Sequence, residues 1–169
     1  MRITPRTYGV EKLADTPGGS GGIGKACGRK LVAAGYDVLL TARREEPLRA
    51  AAQELGARYV VADACAPATF APAVDAAERI DLVVHASGVL GGTYARKQTF
   101  AQWRATMAAN LDSCFVVTSA ALPKMAAGSR FVFVSSSAAH EPMRARTAYS
   151  ASKAGMNAFA AALAQEVDR

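Results

Sequence analysis

The chain has 169 residues, a length that fits one domain and allows roughly two-thirds of the unfolded surface to be buried. Hydrophobic residues make up 51% and charged residues 20%, and no uninterrupted apolar stretch approaches the ~18 residues of a membrane span. The net charge is +6, but the basic residues are dispersed, which favours a solvated basic surface over a nucleic-acid site. We therefore expect a soluble protein with no membrane and no nucleic-acid partner.

The N-terminus and the cysteines bear on location. The first nine residues are basic but lack an apolar core, which argues against a secretory signal and leaves a transit peptide open. Cys27, Cys65 and Cys114 show no CxxC or histidine spacing, and each lies within or beside an apolar segment. Buried, reduced thiols in a cytoplasmic protein are expected, in preference to disulfides, a nucleophile or a metal site.

Four continuous apolar runs predict strands that are covered on both faces, because such strands carry no polar alternation. They cover residues 37–42, 58–63, 81–86 and 129–135. Helices are predicted over residues 23–34, 45–56, 67–79, 99–126 and 147–168. Strands that alternate with helices of this length predict an α/β fold with a doubly wound parallel sheet.

A glycine-rich segment, Gly18-Gly-Ser-Gly-Gly22-Ile-Gly24, opens the first predicted helix. Glycines let the backbone approach a pyrophosphate, which then sits against the free N–H groups at the start of the helix. The alternative is a flexible linker. The helix and the buried strand that follow favour a nucleotide loop, in which Gly18, Ser20, Gly22, Ile23 and Gly24 are the candidate contacts.

A second motif lies near the C-terminus, where Ser136 precedes Tyr149 by thirteen residues and Lys153 follows Tyr149 by four. An offset of four puts the phenol and the ammonium on one helix face, where the positive charge favours the phenolate. Such a tyrosine can serve as an acid or base near neutral pH. A serine hydroxyl from the end of a neighbouring strand could hold a substrate oxygen beside it, ready for hydride transfer.

With this triplet and the Gly-x-x-x-Gly-x-Gly loop in order, the chain resembles the short-chain dehydrogenase/reductase family from about residue 17 to its end. The resemblance implies a Rossmann-type sheet and a catalytic set of Ser136, Tyr149, Lys153 and Asn110. By that resemblance Tyr149 exchanges the proton with the substrate oxygen and Ser136 hydrogen-bonds that oxygen. Lys153 favours the phenolate and contacts the nicotinamide ribose, and Asn110 orders a water in a proton relay.

The end of the second strand bears on the choice of cofactor. An acid there would accept hydrogen bonds from the 2′-hydroxyl of NAD, but this chain has Arg43 and Arg44. A guanidinium matches a 2′-phosphate in charge and geometry, so NADP is expected in preference to NAD. The alternative is a surface arginine pair.

Strand ends supply the remaining candidate cofactor contacts. Asp63 matches the family position that contacts the adenine, with an ordinary turn acid as the alternative. Ala86 and Gly88 keep the loop after the fourth strand small beside the cofactor. His85 departs from the family's asparagine and is interpreted as a structural residue in preference to a catalytic base.

Both ends of the chain depart from the family pattern. The segment Val10–Pro17, where the first strand is expected, is charged and contains proline, which predicts a poor strand and leaves the second and fourth strands without a neighbour. At the other end the family's last two strands and substrate lid are absent. The expected organisation is an atypical segment, 1–16, followed by a partial nucleotide-binding and catalytic domain, 17–169. A gene fragment and a truncated paralogue both remain open.

Two functions are compatible with these motifs. The first is an NADP-dependent oxidoreductase core that interconverts a carbonyl and a secondary alcohol, with a β-ketoacyl or general ketone substrate. The alternative is an inactive NADP-binding or regulatory fragment of the same family. The resemblance implies a homodimer or homotetramer for the full-length form.

Overall fold

The structure is a computed structural model that describes residues 7–11, 22–75 and 77–167. Within these ranges five parallel strands form one sheet in the order β3-β2-β1-β4-β5. The strands are β1 (Thr7–Glu11), β2 (Asp37–Ala42), β3 (Arg58–Val61), β4 (Ile80–His85) and β5 (Met125–Phe133). The order reverses between β1 and β4, so the fold is the expected doubly wound, Rossmann-type sheet.

Six α-helices are described, five of them between strands: α1 (Gly22–Ala33), α2 (Glu45–Leu55), α3 (Pro67–Asp75), α4 (Phe100–Met107), α5 (Ser113–Ala121) and α6 (Thr147–Val167). A π-helical segment, Ala108–Asp112, joins α4 to α5, and a 3₁₀ turn, Leu122–Lys124, follows. The predicted helix over 99–126 is therefore helical without a break from residue 100 to residue 124, but its hydrogen-bond pattern changes from α to π, back to α and then to 3₁₀. Its last turn is the one that contains Pro123, in agreement with the helix-ending effect of proline.

The first strand corrects an expectation from the sequence. β1 begins three residues before the segment Val10–Pro17 and overlaps only its first two residues. The strand pairs with β2 on one side and with β4 on the other. The prediction that the second and fourth strands lack a neighbour is therefore wrong. The earlier start includes Thr7 and Tyr8, which favour strands, and leaves out the proline. Because β1 belongs to the sheet, the segment 1–16 contributes the central strand of the same fold.

The core lies on both faces of the sheet. On one face Val38, Leu40 and Val84 pack against α1 and α2, and on the other Val83 packs with Phe70 of α3 and Val117 of α5. Neighbouring residues of β4 thus serve opposite faces, as the continuous apolar run predicts. The two edge strands differ from that prediction: β3 is at most half-buried, and β5 exposes alternate residues, with Val132 46% exposed. An edge strand has a neighbour on one side only, so its cover is less complete.

The stretch Phe100–Lys124 is long and apolar enough to cross a membrane, by length and composition only. Its most apolar window has a mean hydropathy of 1.2, and 44% of that window is buried inside the protein. α5 packs on α3, and α4 packs on α6. Asn110 and Ser113 are buried within the stretch. These contacts are those of a core helix.

Candidate active site

The carboxyl ends of parallel strands meet at one edge of the sheet, and the candidate residues follow those ends. Arg43 follows β2, Asp63 lies two residues beyond β3, Gly88 lies three beyond β4 and Ser136 lies three beyond β5. The topology alone therefore gathers these residues at one edge. α6, which carries Tyr149, begins eleven residues after Ser136.

The closest meeting of predicted residues is between Gly88, Asn110 and Lys153. A Cβ on Gly88 would lie 2.8 Å from Asn110 Oδ1 and 3.5 Å from Lys153 Nζ. No side chain fits in the first of these gaps without displacing the asparagine. The close approach explains why this position holds glycine, and it places the loop after β4 against two of the four residues of the expected catalytic set.

Asn110 lies in the π-helical segment, 0% exposed, and its side chain ties three elements together. Oδ1 accepts a hydrogen bond from the Val89 N–H at 2.7 Å, and Nδ2 donates to the Val89 carbonyl at 3.1 Å and to Ser152 Oγ at 2.9 Å. Ser152 Oγ in turn donates to the Tyr149 carbonyl at 2.8 Å. The amide thus fixes the loop after β4 relative to the turn of α6 that carries Tyr149.

Lys153 is buried, with 4% of the residue exposed. Its Nζ donates to the Val134 carbonyl at 2.7 Å and lies 3.8 Å from Met156 Sδ. Burial lowers the pKa of Lys153 because the charged form loses hydration, and the nearby Cys114 thiol opposes the shift. The ammonium therefore occupies a protected position between the end of β5 and α6.

Ser136 and Tyr149 are both half-buried. Ser136 Oγ accepts the Ala138 N–H at 3.2 Å, which leaves the hydroxyl hydrogen able to donate. Across the described residues the Tyr149 hydroxyl makes no hydrogen bond. Both hydroxyl groups thus retain hydrogen-bonding capacity for a substrate oxygen.

A small cleft joins the ends of β2, β3 and β4. It is lined by three of the predicted cofactor residues, Arg43, Asp63 and Gly88, together with Cys65, Ser87 and other residues. Asp63 Oδ1 also accepts a hydrogen bond from the Cys65 N–H at 2.9 Å. The carboxylate therefore stabilises a turn, as an ordinary turn acid does. Cys114 is buried, whereas Cys27 is half-buried and Cys65 is exposed, so the prediction of buried thiols is wrong for Cys27 and Cys65. Partial desolvation of the Cys65 thiol and the charge of Asp63 raise its pKa to about 11, which makes it a poor nucleophile.

His85 forms a buried polar cluster with two serines beneath this cleft. Its Nε2 lies 3.0 Å from Ser113 Oγ and 3.1 Å from Ser87 Oγ, and the residue is 0% exposed. Burial, with a smaller contribution from the Lys153 charge, lowers the pKa of His85 to about 4. The imidazole is therefore neutral at neutral pH, which agrees with the structural interpretation of this residue.

The remaining predicted contacts lie at the start of α1 and after β4. The helix begins at Gly22, Ile23 is 58% exposed, and Gly24 is buried. Gly18 and Ser20 lie outside the described residues. Ala86 is half-buried and packs against the core cluster beneath α1 and α2.

Four side chains at the site were missed from the sequence: Ser87, Ser113, Ser152 and Cys65. A partial signal existed for two of them, since Ser113 lies three residues after Asn110 and Ser152 directly precedes Lys153. Their roles depend on which strand end faces which helix turn. That information is tertiary, and local patterns do not contain it.

Comparison with known proteins gives consistent results. The family model described as short chain dehydrogenase matches residues 14–169. An acetoacetyl-CoA reductase of Acinetobacter sp. is 32% identical over 169 residues, covering 92% of this chain and 68% of the relative. A short-chain dehydrogenase/reductase from Brucella melitensis superposes with a TM-score of 0.89 at 28% identity, over 97% of this chain and 70% of that one. The actinorhodin polyketide ketoreductase with NADPH gives 0.88 at 26% identity, over 98% and 66%.

Proposed function

Because the chain belongs to the short-chain dehydrogenase/reductase family, and is by family an NAD(P)-dependent oxidoreductase, we propose that it interconverts a carbonyl and a secondary alcohol. The observation that carries the proposal is the close packing of Gly88, Asn110 and Lys153. Ser152 links Asn110 to the backbone carbonyl of Tyr149, and Ser136 Oγ keeps a hydrogen that it can donate. A nicotinamide cofactor would supply or accept the hydride in this chemistry.

The proposed roles follow the hydrogen bonds. Tyr149 transfers the proton to or from the substrate oxygen, and Ser136 donates a hydrogen bond to the same oxygen. Lys153 provides positive charge close to that oxygen and to the ribose of the cofactor. Asn110 holds the Val89 loop and Ser152, and its Oδ1 retains a lone pair for the water that the family resemblance implies.

The residues that would hold the cofactor suit the close approach of a dinucleotide, since Gly88 leaves no room for a side chain beside Asn110 and Lys153. The cleft at the ends of β2, β3 and β4 lies at the edge of the sheet where the strand order reverses, which is the usual position for such a ligand. Gly22, Ile23 and Gly24 are proposed to bind the pyrophosphate, as are Gly18 and Ser20. Ala86 and Gly88 offer the cofactor only a methyl group and a bare backbone. Asp63 would contact the adenine.

We propose NADP in preference to NAD. Arg43 lines the cleft directly after β2, where a guanidinium can pair with a 2′-phosphate. No acidic residue occupies the same strand end, whose sequence is Thr41-Ala-Arg-Arg44. The actinorhodin polyketide ketoreductase, one of the structural relatives, is a complex with NADPH, which supports this choice.

The proposed substrate is a small molecule with a ketone group. The acetoacetyl-CoA reductase among the relatives favours a β-ketoacyl compound, with a general ketone as the broader class. We further propose a cytoplasmic protein with no membrane or nucleic-acid partner. A homodimer or homotetramer is proposed for the full-length form, supported by the exposed Phe115 on α5 and the exposed alanines along α6.

Replacement of Tyr149 by phenylalanine tests the proposal directly. The change removes the transferable proton and keeps the ring, so turnover of a ketone such as acetoacetyl-CoA should fall by about 10² to 10⁴. NADPH binding, followed by its fluorescence, should change less than about threefold, because the predicted cofactor contacts are otherwise intact. Activity above a tenth of the wild-type value would contradict the role of Tyr149. NADPH binding without turnover in the unmodified chain would support the inactive, NADP-binding alternative.

A further inference from the structure

Two loops at the carboxyl edge of the sheet carry an excess of positive charge. The first, residues 89–99, follows β4 and contains Arg96 and Lys97. The second, residues 140–147, leads into the helix turn of Tyr149 and contains Arg144 and Arg146. The two loops together contain one acidic residue, Glu141. Since both loops border the proposed catalytic residues, their charge faces an approaching substrate.

The arginines converge on one aromatic ring. The guanidinium carbons of Arg96 and Arg144 lie 5.5 Å and 5.3 Å from the ring centre of Tyr94, which is 41% exposed. Among the residues that the structure describes, neither arginine forms an ion pair with a carboxylate. Cation–π contacts hold each charge at the ring, but the two charges repel each other. A bound anion would relieve that repulsion.

A third guanidinium, that of Arg146, lies against the first of the two loops. The side chain of Arg146 lies directly against Gly92, where even a methyl group would overlap its guanidinium. Thr147 Oγ1 donates to Gln98 Oε1 at 3.1 Å and thereby joins the two loops. Ala145, between the two arginines, has a φ of +57°, a left-handed conformation that alanine rarely adopts. Such strain persists where surrounding contacts enforce it, and it often accompanies function.

We propose that Tyr94, Arg96, Arg144 and Arg146 form a cationic rim that binds a phosphate group on the far end of the ketone substrate. The inference rests on the proposed function and names the substrate class of the same site. Guanidinium groups match phosphate oxygens in charge and geometry. Three guanidinium groups carry more positive charge than one carboxylate would neutralise. The rim is at the surface, whereas Asn110 and Lys153 are buried. The phosphate therefore belongs to an arm that extends away from the reacting carbonyl.

Equilibrium binding tests the rim without requiring turnover. The probes are 4′-phosphopantetheine and pantetheine, which differ by one phosphate, titrated into the full chain by calorimetry. The phosphorylated probe should bind more tightly, and the preference should fall as salt rises, because exposed charges are screened. Arg144→Gln should weaken binding of the phosphorylated probe about three- to tenfold and leave pantetheine unchanged. Arg144→Lys keeps the charge and should retain part of the preference.

A control variant locates the effect. Arg130→Gln removes an exposed arginine from β5 and should not alter the preference. Equal binding of the two probes by the wild-type chain would overturn the inference. So would loss of the preference in the Arg130 variant. Circular dichroism checks the fold, and Arg96→Gln provides a second rim variant if Arg144→Gln unfolds.

These experiments distinguish failure of the proposed rim from failure of the proposed oxidoreductase function. A chain that prefers the phosphorylated probe but turns over no ketone supports the rim and counts against the proposed function. A chain that reduces ketones with NADPH yet binds both probes equally retains the proposed function and refutes the rim.

Discussion

The buried His85 should make the stability of this protein sensitive to mild acid. In the folded chain burial lowers its pKa from 6.5 to about 4, whereas in the unfolded chain the imidazole is hydrated. Between these values the unfolded state binds a proton that the folded state does not, so stability is full above about pH 6.5 and falls as the pH drops towards 4. The loss should be roughly 2 kcal/mol at pH 5 and about 3 kcal/mol near pH 4.

His85→Asn removes the titrating group and keeps a polar side chain near Ser87 and Ser113. The free energy of unfolding of both proteins would be measured by urea denaturation at half-unit steps from pH 7 to pH 5. Other titrating groups are shared, so the difference between the two proteins isolates His85. We expect the asparagine variant to gain about 2 kcal/mol on the wild type over this range, whatever its stability at pH 7. His140→Asn, which changes the other histidine of the chain, should follow the wild type. Parallel curves for wild type and His85→Asn would refute the argument.

Two further variants test the cofactor cleft and the hydrogen bonds around Asn110. Arg43→Asp should weaken NADPH binding by at least tenfold and NADH binding by much less, because it removes the proposed contact to the 2′-phosphate and adds repulsion. Equal losses for the two cofactors in fluorescence titrations would give Arg43 a structural role only. Ser152→Ala leaves the Nδ2 group of Asn110 without one acceptor and should cost about 1 to 3 kcal/mol in urea unfolding. The exposed Ser119→Ala on α5 is its matched control, and an equal effect of the two changes would show that the Asn110 contact contributes nothing.

Much of the fold could be predicted from local pattern. The sequence predicts β2 with its observed bounds, because three consecutive apolar residues follow Asp37, and every residue of the strand after Asp37 is buried. α2 was predicted to within one residue, since Gly56 ends it in a left-handed conformation. The position of β1 is not predicted correctly, because the family pattern puts the first strand immediately before the glycine loop. The strand lies further upstream, and its partners on both sides are what identify it.

The candidate site was predictable by position but not by contact. Gly88, Asn110 and Lys153 could be named from their motifs, yet their close packing depends on the meeting of a strand end, a helix and α6. Ser152 illustrates the limit. Its sequence neighbourhood shows a small polar residue on a helix, and its buried hydrogen bonds to Asn110 and Tyr149 appear only in three dimensions.

The π-helical segment Ala108–Asp112 also limits which changes in length the helix between residues 100 and 124 can tolerate. A π turn accommodates one more residue than an α-helical turn, so the stretch after it is rotated by about 100° relative to an uninterrupted α-helix. α4 before the segment buries a single residue, whereas α5 after it buries six. Loss of one residue from 108–112 would therefore turn Val116 and Val117 away from the sheet. Substitutions can accumulate along this helix, but its length between Thr106 and Val116 is fixed by the geometry of the core.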